Sequence, residues 1–173
     1  MELKRGDILL VHTPDSFICW LIRAVTGSYW NHVAWALGPD LVLEAQAGAG
    51  VRLVNSLHYK LDDRKFVKVV RIKKGIISDK QLTAALITAQ KYRGSGYDWW
   101  LILQLGWLYL RGKIRTKPAD DWHSAWICSE LIAKPLWDCA GFRFNNGIPP
   151  ENTVPRHIDE SPFVEEIICP LQE

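Results

Sequence analysis

The stretch Asn31-His32-Val33-Ala34-Trp35-Ala36-Leu37-Gly38-Pro39-Asp40-Leu41-Val42-Leu43-Glu44-Ala45 decides the fold of this 173-residue chain. Residues 32–37 and 41–45 are rich in strand-forming side chains, and the Gly38-Pro39-Asp40 signal between them is typical of a turn. The pattern therefore predicts two neighbouring antiparallel strands. One strand begins with a histidine, and the other contains a carboxylate.

The predicted hairpin brings His32 and Glu44 close together. A turn around Pro39 places His32 opposite position 45, one step from Glu44. A bulge or a shift in register would put both side chains on one face, within reach of a hydrogen bond. The spacing permits this pairing and does not require it.

Further strands and helices are expected on both sides of the hairpin. Strands are predicted at 6–11, 50–54, 66–72 and 163–168. Helices are predicted from Pro14, with Thr13 as N-cap, to the residue before Gly27, at 78–93, at 99–110, and from Cys128 to about Gly141. This order predicts an α+β fold, with a mainly antiparallel sheet packed against helices. The length favours a single domain over residues 1–173.

Charge and hydropathy exclude two classes of partner. The 21 basic and 19 acidic residues nearly cancel, which argues against a dedicated nucleic-acid binder. The longest apolar stretch, Trp99–Leu110, is shorter than the about 20 residues that a membrane-spanning helix needs. Contact with a membrane surface stays open, and a spanning segment is not expected.

The cysteines and the N-terminal segment predict a reducing environment and no cofactor. The four cysteines have no close pairing and no metal-ligand spacing, so neither a disulfide framework nor a metal site is expected. Residues 1–7 lack the apolar segment of a secretory signal. We therefore expect a cytoplasmic protein, with release by phage lysis or by a secretion system left open.

Cys128 is the candidate nucleophile. It opens an apolar helical run, 126–133, and a thiol at a helix N-terminus is favoured as the thiolate. Such a thiol becomes a catalyst when an imidazole held by a third polar group lies beside it. Cys128, His32 and Glu44 are therefore a candidate triad of a cysteine hydrolase or acyltransferase.

The residues alone leave a structural alternative open. In that alternative His32 caps a turn, Glu44 is a solvated strand residue and Cys128 is a small core residue, as free cysteines often are. Four further histidine and tryptophan side chains are candidates to line a site. They are His12, Trp122, His123 and Trp126.

Four segments together resemble a known family, the YiiX-like, circularly permuted branch of the NlpC-type papain-like hydrolases. This branch is related to the lecithin–retinol acyltransferase group. The matching segments span residues 6–141 and occur in the permuted order, with histidine, then glutamate, then cysteine. They are Gly6-Asp7-Ile8-Leu9, Asn31-His32-Val33-Ala34, Leu43-Glu44-Ala45 and Cys128-Ser129-Glu130-Leu131 with its end at Ala140-Gly141.

The resemblance implies a papain-like core, in which the helix of Cys128 packs against a sheet that carries His32 and Glu44. It also implies thiolate attack on an amide or ester carbonyl, an acyl-enzyme, and an oxyanion donor at the backbone N–H of Cys128. Bulky Trp122 and Trp126 depart from the simple pattern, and they leave the shape of the pocket open.

Three functions compete at this point. The first is an amidase or peptidase acting on small peptides or amides, including those of peptidoglycan. The second is a thioesterase or acyltransferase for lipid-like acyl substrates, favoured by the many tryptophans. The third is a binding or scaffold domain without chemistry.

Overall fold

The computed structural model describes residues 2–14, 16–60, 62, 64–97, 125–126 and 128–167. Its strands are β1 (Ile8–His12), β2 (His32–Ala36), β3 (Leu41–Gln46), β4 (Gly50–Asn55), β5 (Phe66–Ile72), β6 (Gly96–Tyr97), β7 (Ala125–Trp126) and β8 (Val164–Ile167). Its helices are α1 (Phe17–Thr26), α2 (Leu57–Lys60), α3 (Asp79–Gln90), α4 (Glu130–Ala140), the 3₁₀ turn Pro150–Asn152, and α5 (Pro155–Asp159).

Six of these strands form one antiparallel sheet in the order β4-β3-β2-β1-β5-β8. The predicted α+β class with an antiparallel sheet is confirmed. The hairpin of β2 and β3 lies inside the sheet, between β1 and β4, so its residues are held from both sides.

Both faces of the central strands are covered. On one face Leu10, Trp35 and Leu43 pack with residues of α3 and α4, which also pack against each other. The opposite face carries Ala34 and Val42 in a second buried cluster. Successive strand residues alternate between faces, so a sheet covered on both sides needs the nearly continuous apolar runs of this sequence.

Helix α3 begins and α4 ends as their sequences predict. The side chain of Ser78 accepts a bond from the backbone N–H of Gln81, and Gln81 bonds back in a capping box. Gly141 follows α4 in the left-handed conformation (φ 63°), which glycine adopts without steric cost.

Helix α1 begins later than the sequence predicts. Its N-cap is Ser16, whose hydroxyl accepts from the backbone N–H of Cys19. The expected cap, Thr13, has its backbone N–H 2.6 Å from Oδ1 of Asn31, and its carbonyl accepts from Arg23. These bonds anchor Thr13 to the segment just before β2, so the helix starts one turn further on.

A close backbone approach at Gly50 connects β4 to the segment that leads toward Cys128. The N–H of Val51 donates to the carbonyl of Ser95, and the N–H of Gly94 donates to the carbonyl of Val51. A Cβ on Gly50 would lie 2.3 Å from the Ser95 oxygen, and its φ of 69° also favours glycine. Beyond this junction β6 pairs in parallel with β7, two residues before Cys128.

The predicted helix over Trp99–Leu110 lies outside the described residues, as do Trp122 and His123. Among the residues that are described, no helix has both the length and the apolar character that crossing a bilayer requires.

Candidate active site

His32 and Glu44 share one face of the sheet. Ala34 lies opposite Glu44, so the register differs by one residue from the expected one. A shift of one residue moves a side chain to the other face. Here the shift places His32, two residues before Ala34, on the same face as Glu44 without a bulge.

The imidazole and the carboxylate are in direct contact. Nε2 of His32 lies 2.9 Å from Oε2 of Glu44, whose side chain is fully buried. Since Nε2 is engaged in this way, Nδ1 is the ring nitrogen left to face another partner.

Two residues that the sequence analysis did not single out also bind Glu44. Nε and Nη2 of Arg52 each lie 2.9 Å from Oε1 of Glu44. The hydroxyl of Tyr59 donates to Oε2, and its oxygen lies 3.3 Å from Nε2 of His32. Both carboxylate oxygens of Glu44 are therefore occupied by fixed donors.

Arg52 could have been found from the sequence, whereas Tyr59 could not. Gly50–Val54 was expected to be a strand, and an antiparallel pairing with β3 places Arg52 directly opposite Glu44, as observed. Opposite charges at such positions stabilise a strand pair. Tyr59 lies on α2, a four-residue helix without a recognisable sequence signal.

The electrostatics of the pair favour two charged groups. Burial alone would lower the pKa of His32, but hydrogen bonds with Cys128 and Glu44, together with their negative charges, raise it to about 10. Burial alone would raise the pKa of Glu44, but the hydrogen bond and charge of His32, with bonds from Tyr59 and Arg52, lower it to about 2. At neutral pH the pair is an imidazolium beside a carboxylate.

Cys128 lies two residues before α4. The next residue, Ser129, is buried, and its hydroxyl donates to the carbonyl of Thr153 at 2.5 Å. The carbonyl of Ser129 accepts from the backbone N–H groups of Ile132 and Ala133 in the first turn. These bonds fix the start of the helix, and with it the position of the thiol.

The fold brings Cys128 to His32. Interaction with Cys128 is the largest of the contributions that raise the pKa of His32. Cys128 also acts electrostatically on Tyr59, so the thiol, the imidazole and the phenol form one group. The thiol residue itself is 6% exposed.

A cleft of about 440 Å³ opens beside His32. Val11, Ile18 and Ile22 give it an apolar wall, which comes from β1 and α1. Its polar lining includes Arg52 from β4, Tyr59 and His58 from α2, and, from the segment after α2, Asp62, Arg64 and Lys65. A ligand in this cleft would meet His32 between an apolar and a charged surface.

Of the four candidate lining residues, His12 is placed elsewhere. Val11 lines the cleft, and because strand residues alternate, His12 points to the other side of β1. Its Nδ1 lies 2.7 Å from the carbonyl of Tyr29, and its ring stacks on that of Tyr29. His12 is therefore not part of the lining of this cleft, and a role for it in a site stays a prediction. The backbone of Trp126 belongs to β7, and Trp122 and His123 lie outside the described residues.

The donors around His32 do not fit a metal ion. Within the described ranges, no group of three or more histidine, cysteine, aspartate or glutamate side chains is arranged to hold one. Both oxygens of Glu44 already accept bonds, and the guanidinium of Arg52 lies against one of them. A second cation at this carboxylate would be repelled.

No family model and no curated protein matches the chain. Among solved structures it is similar to the crystal structure of the metalloprotein YiiX from Escherichia coli O157:H7, with a TM-score of 0.67 and 19% sequence identity. The alignment covers 96% of this chain and 97% of that one. The chain therefore has a YiiX-like fold, as the sequence resemblance implied.

Proposed function

We propose that this protein is a cysteine hydrolase of the amidase or peptidase type. In this proposal Cys128 is the nucleophile, His32 is the general acid and base, and Glu44 orients the imidazole. The observation that carries the proposal is that His32 contacts both Cys128 and Glu44 beside an open cleft.

The proposed reaction begins from the charged pair. The pKa of about 10 keeps His32 protonated at neutral pH. The proposed nucleophile is the thiolate of Cys128, the form in which a cysteine attacks. The thiolate attacks the substrate carbonyl, the imidazolium gives its proton to the leaving amine, and an acyl-enzyme forms. The neutral imidazole next takes a proton from water, which attacks the thioester and releases the acid.

In this proposal the substrate enters from the cleft, on the side of His32. The residue of Cys128 is largely covered, and His32 is the triad member that lines the cleft. We propose permuted papain-like chemistry on small peptides or amides, peptidoglycan peptides included, without a metal or an organic cofactor.

A second candidate activity is a thioesterase or acyltransferase for lipid-like acyl groups, using the same three residues. The observation that favours it is the apolar wall formed by Val11, Ile18 and Ile22. Such a wall suits an acyl chain better than a peptide backbone, which needs hydrogen-bond partners.

The deciding experiment compares two substrate classes in the wild type and in Cys128→Ala. We expect hydrolysis of muropeptides, lost by at least about 10,000-fold in the variant, since a missing nucleophile removes the covalent route. Cys19→Ala is the matched control, because Cys19 lines the cleft but is placed on α1. Turnover of 4-nitrophenyl acyl esters alone would favour the second candidate activity.

A labelling experiment distinguishes the two candidate enzyme activities from a scaffold domain without chemistry. An imidazolium beside the thiol predicts that iodoacetamide at about pH 6 modifies Cys128 much faster than Cys19 or Cys139. Equally slow labelling of the three cysteines would contradict catalysis.

A further inference from the structure

The bonds at Glu44 suggest roles for two residues outside the proposed triad. We propose that Arg52 and Tyr59 are positioning residues, which hold the Glu44 carboxylate in place so that it turns His32 toward Cys128. This inference rests on the proposed function.

The first argument is that the two oxygens of the Glu44 carboxylate bind different partners. Two nitrogens of Arg52 contact Oε1 of Glu44, whereas Oε2 contacts His32 and Tyr59. A carboxylate with only one partner could rotate about its terminal bond. With donors on both oxygens its plane is fixed, and so is the direction from which it meets Nε2 of His32.

The second argument is the placement of Tyr59. Its hydroxyl contacts Glu44 and also lies 3.3 Å from Nε2 of His32, and its ring stacks at 15° to the imidazole plane. It therefore restricts both the carboxylate and the ring. The residue is 3% exposed, so water does not replace this hydroxyl readily.

The third argument is charge. Glu44 is fully buried, and an isolated buried carboxylate would take up a proton. The charged and titratable groups around it are Arg52, His32 and Tyr59, while Cys128 and His58 interact with members of the same group. Arg52 is the cation in this set that does not change its charge during the proposed reaction. It keeps Glu44 ionised while the proton leaves and returns to His32.

The experiment compares Arg52→Gln and Tyr59→Phe with Arg71→Gln. Arg71 is the matched control because it binds another buried carboxylate, Asp7, with two bonds in the same sheet. The first readout is the titration of the Glu44 carboxyl carbon by ¹³C NMR. We expect a midpoint about one pH unit higher in Arg52→Gln, a smaller rise in Tyr59→Phe, and no change in Arg71→Gln.

The second readout is kinetic. With 4-nitrophenyl acetate as the probe, we expect kcat to fall about 10-fold in Arg52→Gln and about 3-fold in Tyr59→Phe, with KM unchanged and a partial return in Arg52→Lys. Alkylation of Cys128 by iodoacetamide should slow in the same order. A loss confined to KM would make Arg52 a substrate contact and overturn the proposal.

The two proposals fail in different ways. If the wild type turns over no ester or peptide, the proposed function fails, while the NMR titration and the alkylation rates still decide the positioning role. If Glu44 titrates identically in all four proteins, or if both variants are alkylated as fast as Arg71→Gln, the positioning role is wrong.

Discussion

Two buried carboxylates in one sheet, Asp7 and Glu44, have different surroundings. Asp7 binds Arg71 through both of its oxygens and accepts the backbone N–H of Lys4 at 2.7 Å. Glu44 also binds an arginine, but it shares its second oxygen with an imidazole and a phenol.

The two carboxylates differ in whether their hydrogen-bond partners titrate at physiological pH. The partners of Asp7 are an arginine and a backbone amide, which do not titrate at physiological pH, so this ion pair joins the start of β1 to β5. Glu44 contacts His32, which gains and loses a proton and borders a cleft. A buried carboxylate with permanent donors supports the fold, and one that shares its charge with a titratable ring is suited to chemistry.

The largest expected effect is the loss of turnover when the imidazole of His32 is removed. His32→Ala should lower turnover about 1,000-fold, because proton transfer by a placed imidazole contributes about 100- to 10,000-fold. At about pH 10, where the charge of His32 no longer contributes much to stability, the free energy of unfolding should change little, since the Arg52 and Tyr59 bonds to Glu44 remain. Steady-state kinetics and urea unfolding on the same sample measure both. Equal damage to stability and turnover would remove the distinction between the two carboxylates.

Asp7→Ala should show the opposite pattern. Removing Asp7 takes both hydrogen bonds from the partly buried guanidinium of Arg71, which costs about 1–3 kcal/mol. We expect a lower free energy of unfolding, while the turnover of the folded fraction stays as in the wild type. A selective loss of turnover would place Asp7 in the catalytic group.

Glu44→Gln should reduce turnover by about 10- to 100-fold, less than His32→Ala, since the imidazole remains but loses a charged hydrogen-bond partner. The pKa of His32 should also fall below the value of about 10 that Cys128 and Glu44 produce against the effect of burial. NMR titration of the ring checks this. A larger loss than in His32→Ala would show that the assigned roles are reversed.

The smallest expected effect is on stability against pH. The pKa of His32 is raised in the folded protein, so its contribution to stability is complete below about pH 6.5 and is lost as the pH rises through about 10. Glu44 has a lowered pKa, so its contribution is present above about pH 4.5 and is lost as the pH falls toward about 2. Urea unfolding from about pH 2 to pH 10 should give a free energy of unfolding that is constant between about pH 4.5 and pH 6.5 and declines on either side. Replacing His32 should remove the decline on the alkaline side.

Local sequence patterns predicted most of the sheet and part of the site. The central strands have apolar runs bounded by turn signals, and β5 was predicted with its observed bounds. The register of β2 on β3 was one residue off, because it depends on the geometry of the turn, where Leu37 donates to the carbonyl of Leu41. That geometry is not fixed by residue type.

Arg52 and Tyr59, the partners of Glu44 that the sequence analysis did not identify, show a second limit of prediction from sequence. Arg52 depends on which strand pairs with β3, and Tyr59 depends on how a four-residue helix folds back over the sheet. The position of Tyr59 is a tertiary outcome that a residue pattern does not encode, whereas Arg52 follows once β3 is taken to pair with β4. Cys128 was predicted as a nucleophile from its helix, whereas its proximity to His32 depends on tertiary packing.

The placement of His32 and Glu44 on one hairpin also bears on the order of assembly. The pair closes within residues 32–44, whereas Cys128 follows 84 residues after Glu44 in the chain. During synthesis the pair can form before Cys128 has been translated. Cys128 joins it only when the late segment docks, so a growing or truncated polypeptide lacks the complete group of three side chains.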